Sequence, residues 1–120
     1  MGEVLAARQE AVLFLGPVAV NLDRWQASMN GQVIDMTPGE MGLIAALTVR
    51  KGKLVSAADV RALAQQRGRK LATSPASLRV FICRLRKTLR ATGAPEMIGH
   101  VRGHGYIARD PAPAEGLAHG

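Results

Sequence analysis

The sequence predicts a small α+β domain in which an antiparallel sheet comes first, three helices follow and a β-hairpin closes the chain. Three observations carry that expectation. An Asn30-Gly31 pair separates two stretches that alternate apolar and polar residues, helix-start signatures recur at Thr37, Ser56 and Ser74, and a glycine-punctuated tip, Arg102-Gly103-His104-Gly105, divides two short β-prone runs. At 120 residues and 12.8 kDa the chain has room for one core and no second. Apolar residues make up 48% of it, yet no run approaches the roughly 18 apolar residues of a membrane span, so a soluble protein without a membrane partner is expected. Glu3, Arg8 and Glu10 do not make a signal peptide, and the lone Cys83 cannot form an internal disulfide. Both point to the reducing cytoplasm.

Taken in order, residues 1–11 read as a weakly structured arm. Val12 to Leu15 and Val18 to Leu22 are β-prone pieces on either side of Gly16-Pro17, and Asp23-Arg24 turns the chain into Trp25 to Met29 and Gln32 to Met36. Asn-Gly is a strong signal for a type I′ hairpin, because both central residues need positive φ. Pairing outward from it matches Met29 with Gln32, Ser28 with Val33, Ala27 with Ile34, Gln26 with Asp35 and Trp25 with Met36. That leaves one mainly apolar face to cover. Thr37-Pro38-Gly39-Glu40 is a capping box with proline at the first helical position, followed by Met41, Ile44, Leu47 and Thr48 at helical spacing until Gly52. Lys53 to Val55 suits a short strand. Ser56 to Asp59 is a second cap, opening a short helix through Val60, Leu63 and Ala64, after which Gln65 to Thr73 reads as a basic loop.

Residues 74–91 form the third helix. Ser74 caps it, Pro75 suits its first turn, and Leu78, Ile82, Leu85 and Leu89 make a single narrow stripe. Opposite that stripe lie Ala76, Ser77, Val80, Arg84 and Lys87, with Arg79, Cys83, Arg86 and Arg90 on one flank and Phe81 expected at the edge of the core. Charge is distributed unevenly. Residues 1–49 carry two cations against five acids, a net of −3, and residues 50–109 carry fourteen Lys and Arg against Asp59 and Glu96, a net of +12, within an overall +7. A turn between two helices, the second of them basic, is the plan of a helix-turn-helix, and the basic hairpin of Met97 to Val101 and Tyr106 to Arg109 behind it is a wing. The expected fold is therefore a winged helix-turn-helix over residues 12–110, with 111–120 as a disordered tail.

Such a helix fits the major groove of double-stranded DNA, its first turns against base edges and its later turns rising to the phosphates. Ser77, Val80 and Arg84 are the expected base readers: a hydroxyl, an apolar surface for a thymine methyl and a guanidinium for a guanine edge. Thr73, Arg86, Lys87 and Arg90 are expected at phosphates. In the wing, Arg102 is the expected minor-groove probe, flanked by His100 and His104, because a narrow A·T-rich groove concentrates negative potential. His100, His104 and Cys83 do not match a recognised zinc spacing, so neither metal nor other cofactor is expected. The glycines of the tip precede no helix and form no phosphate loop. With no Ser/His/Asp set, no paired carboxylates in a cleft and no nucleotide motif, no enzymatic activity is expected.

Leu85-Arg86-Lys87-x-Leu89 and Val101-Arg102-Gly103-x-Gly105-Tyr106, together with Thr37-x-x-Glu40 and Gly52, resemble the OmpR/PhoB type of winged-helix DNA-binding domain over about Val12 to Asp110. Within that family, Val80-Phe81-Ile82-Cys83 and the ending Gly105-Tyr106-x-x-Arg109-Asp110-Pro111 look most like the cell-cycle master response regulator of alphaproteobacteria. The resemblance implies a nucleoid-associated bacterial transcription regulator, a homodimer side by side on repeated half-sites, and use of the Arg102 position in the minor groove. Family members usually carry an N-terminal receiver domain; here about ten residues precede the sheet, so the expectation is a regulator lacking one. The loop before the long helix, which touches RNA polymerase in some relatives, is short and basic here. Two further function classes stand beside specific DNA binding: a protein-interaction module of the same fold that holds another regulator or RNA polymerase, and non-specific nucleic-acid packaging.

Overall fold

The computed structural model describes residues 11–66 and 75–111. Strands β1 (Val12–Leu15), β2 (Val18–Asn21), β3 (Gln26–Met29) and β4 (Gln32–Ile34) pair in chain order as one antiparallel sheet. Asn30 and Gly31 have φ of 54° and 80°, the two positive values a type I′ turn requires, and the hairpin register is Met29 with Gln32, Ser28 with Val33 and Ala27 with Ile34. The ladder stops there, and the expected pairs Gln26 with Asp35 and Trp25 with Met36 do not form. Trp25 is the cause on one side: it sits at φ 58° in the turn that follows Asn21, so β3 begins at Gln26. Asn21 and Asp23 fasten that turn, accepting the N–H of Arg24 at 2.8 Å and of Ala11 at 2.9 Å. Across the sheet, Leu13, Val20, Ala27 and Ile34 share one face, and Phe14, Ala19, Ser28 and Val33 share the other.

The inner face lies on helix α1 (Pro38–Val49), whose capping box forms as expected: Glu40 N donates to Thr37 Oγ1 and Thr37 N to Glu40 Oε1. The expected stripe on α1 becomes something more enclosed, because every residue from Glu40 to Thr48 is buried. The sheet, the next two helices and the last strand all touch α1, so no side of it is left for water. Helix α2 (Ala57–Gln66) starts on Ser56, whose Oγ accepts from Asp59 N at 3.1 Å. The strand expected at Lys53 to Val55 reduces to a single bridge between Val55 and Tyr106.

Helix α3 (Pro75–Ala91) lays its stripe on α1: Leu78, Ile82, Leu85 and Leu89 are all buried, and Phe81 packs at the core's edge. Strands β5 (Ile98–Val101) and β6 (Gly105–Ala108) form the hairpin, one residue shorter at Met97 and at Arg109 and one longer at Gly105 than expected. Gly105 is required at its place. It has φ 148°, and a Cβ there would collide with the backbone carbonyl of Val55. The Ser74 cap, most of the expected basic loop, residues 1–10 of the expected arm and residues 112–120 of the expected tail lie outside the described residues.

Candidate nucleic-acid interface

Packing on one side of α3 decides what the other side presents. Opposite the buried stripe, Arg79, Cys83, Arg84 and Lys87 are exposed, and Val80, 49% exposed, is an apolar patch among them. The Arg84 guanidinium lies 5.9 Å from the centre of the Phe81 ring, and Phe81 packs against the core, so its ring gives the exposed cation a partner on the helix itself. Ser77 falls in the first turn of α3, but its side chain, like the whole of Thr73, is outside the described residues.

The hairpin sets a second cationic element beside the helix. Arg102 and His104 are exposed at its tip. His100 stacks on Tyr106 with ring centres 4.6 Å apart and planes 18° from parallel, which ties an exposed imidazole to a buried ring. Burial pushes the Tyr106 phenol above its usual range, with Arg79 and Arg86 pulling the other way. Between the start of α2, Arg79 and the wing runs an open groove of about 440 Å³, lined also by His100, Arg102 and His104. Arg79 is the residue that sequence reasoning left without a role. The available signal was its place on the α3 flank that also carries Arg86, seven residues on.

Two of the expected phosphate contacts have protein partners. Arg86 is half-buried, and its Nη2 donates to the Ile98 carbonyl of β5 at 2.8 Å. Arg90 pairs with Glu96 at 3.3 Å, but both side chains are largely in solvent, where such a pair contributes about 0 to 1 kcal/mol and yields readily to a competing anion. Among the described residues no group of three His, Cys, Asp or Glu stands close enough to hold a metal ion, and no helix is long and apolar enough to cross a membrane.

Residues 31–108 match the family described as Transcriptional regulatory protein, C terminal. The chain is 32% identical over 104 residues to the transcriptional regulatory protein PrrA of Mycobacterium tuberculosis, covering 87% of this chain and 44% of that one. It is also 32% identical over 103 residues to the cell cycle transcriptional regulator CtrA of Caulobacter vibrioides, covering 85% and 44%. The chain therefore spans less than half the length of these relatives, and identity ranks the alphaproteobacterial regulator level with the mycobacterial one. Among solved structures, the DNA binding domain of CpxR from E. coli matches with a TM-score of 0.66 and 26% identity, over 85% of this chain and 99% of that one. Sheet, three helices and hairpin in this order, with the matched motifs on α3 and the wing, place the chain in the OmpR/PhoB-type family of transcriptional regulatory protein C-terminal domains.

Proposed function

We propose that the chain is a sequence-specific double-stranded DNA-binding module of a transcription regulator, with α3 in the major groove and the wing in the adjoining minor groove. The observation that carries this reading is a continuous exposed face: Val80, Arg84 and Lys87 on α3, joined through Arg79 to Arg102 at the wing. The net of +12 over residues 50–109 supports it, as does the likeness to the DNA binding domain of CpxR. In this reading Ser77, Val80 and Arg84 meet base edges, while Thr73, Lys87 and Arg90 neutralise phosphates. Arg102, with His100 and His104, enters the minor groove. The module acts without catalysis, at the nucleoid in the cytoplasm, as side-by-side copies on repeated half-sites.

A titration against selected and random duplexes tests the proposal. A discrimination of at least about 10³ is expected, and near equality would point to packaging instead. Arg84→Ala should cost about 1 to 3 kcal/mol on the selected site and much less on random DNA. Lys87→Ala should weaken both alike and make the salt dependence shallower by about one unit. The second reading, a module for another regulator or RNA polymerase, draws on the outer face of the sheet, where Phe14 is 57% and Val33 61% exposed. Absence of DNA affinity at moderate salt would favour it.

A further inference from the structure

Of the five cations on α3, Arg79, Arg84, Lys87 and Arg90 are exposed and Arg86 is not. Its Nη2 donates to Ile98 O at 2.8 Å, and its Nε is buried with no partner among the described residues, so the side chain is wedged between helix and hairpin. The acceptor is a particular carbonyl. Arg109 N donates to Met97 O at 2.9 Å, and in an antiparallel ladder bonded residues alternate, so the carbonyl of Ile98 faces away from β6. Among the described residues no strand pairs with that edge of β5, and Arg86 satisfies it.

The other edge of the hairpin is held independently. Val55 and Tyr106 exchange two backbone bonds of 2.8 Å, and Gly52 N donates to Ala108 O at 2.7 Å, fastening β6 to the chain between α1 and α2. Those bonds fix the hairpin to the core but leave its lean toward α3 to be set from the β5 side. We infer that Arg86 is a positioning residue that sets the distance and angle between α3 and the wing, so that a duplex gripped by the helix meets Arg102 at one fixed offset. This rests on the DNA-binding reading and assigns Arg86 a task other than phosphate contact. A planar guanidinium suits the task and an ammonium on a flexible stem does not, because the strut must hold an orientation as well as a charge.

The test uses the whole chain, Arg86→Lys and Arg86→Met, on a selected duplex whose wing-side flank is either A·T-rich or G·C-rich, at several salt concentrations. Wild type should prefer the A·T-rich flank. Both variants should lose about fivefold of that preference, the size of one hydrogen bond, with the salt dependence unchanged because no phosphate contact has been removed. A phosphate anchor gives the opposite result and overturns the inference: Arg86→Lys keeps affinity and preference, and Arg86→Met has a salt dependence shallower by about one unit. Methionine suits the half-buried stem, so that variant still decides the matter if a buried ammonium prevents Arg86→Lys from folding. A wild type that does not distinguish selected from random duplexes refutes the DNA-binding reading itself. A selective wild type whose two variants keep the flank preference refutes the positioning role alone.

Discussion

Between Glu40 and Thr48 every residue of α1 is buried, whereas α3 hides the row Leu78, Ile82, Leu85 and Leu89 and leaves Arg79, Val80, Arg84 and Lys87 in solvent. Both helices have apolar residues at helical spacing, so periodicity alone does not separate them. Composition does. From Met41 to Val49 α1 has no charged side chain, while α3 has five cations and no acid. A helix whose one carboxylate, Glu40, is held at its start by the capping box can be enclosed by a sheet and two helices at little electrostatic cost. One with five cations must keep a side toward water or toward a polyanion. The scaffold and the candidate interface are thus two helices of one core, touching through α3's stripe.

The largest effect expected is at that shared seam. Leu85, fully buried, should cost about 2 to 5 kcal/mol when replaced by alanine. In a domain of this size each kcal/mol lowers the melting temperature by about 4 to 8 °C, so a shift of a degree or so would mean that α3 faces the other way. Next comes the contrast itself. Ala45→Leu on the enclosed helix should destabilise by about 1 to 3 kcal/mol through overpacking, whereas Val80→Ala on the open helix should stay within about 0.5 kcal/mol in melting experiments. Equal responses would break the distinction between the two helices.

A smaller effect tests how they are joined. Glu40 closes the α1 capping box with one carboxylate oxygen and accepts the Thr88 hydroxyl of α3 with the other at 2.9 Å. Thr88→Val removes that donor and should cost about 1 kcal/mol by denaturant titration, with the cap itself intact.

The smallest effect lies away from both helix faces and depends on pH. Asp110 accepts from Gly16 N at 2.7 Å and pairs with Lys51 Nζ at 3.1 Å, and these two partners hold its carboxyl below the usual range. A carboxyl depressed in the folded state adds stability that is complete above its unfolded value of about 3.9 and is lost as pH falls through the folded value. Melting of Asp110→Asn should therefore lie below wild type at neutral pH, and the gap should close in acid. A gap that widened below pH of about 4 would mean the aspartate is not stabilised in the folded chain.

What was legible follows from the range of the interaction. The Asn30-Gly31 turn, the Thr37 capping box and the α3 stripe depend on residues within a few positions of each other, and the sequence displays them directly. Gly105 was visible as a turn glycine, but its collision partner is a carbonyl fifty residues away in the chain, at Val55. Arg86 read as one more cation because its acceptor is a backbone atom, and backbone atoms leave no mark in a motif. The enclosure of α1 was half legible: the lack of charge from Met41 to Val49 was plain, but which elements would surround it depends on long-range packing. Trp25 at positive φ had no signal, since an aromatic residue is not expected in that region.

The bond from Gly16 to Asp110 joins residues 94 apart, and Lys51 links the same carboxylate to the carbonyl of Phe14. Closing so long a loop early in folding would forfeit chain entropy for a few exposed hydrogen bonds, so the clasp is expected to form late in assembly. Its consequence is kinetic. Replacing Asp110 should leave the folding rate nearly untouched and speed unfolding, so the clasp governs how long the native state lasts once formed, and has little say in how fast it is reached.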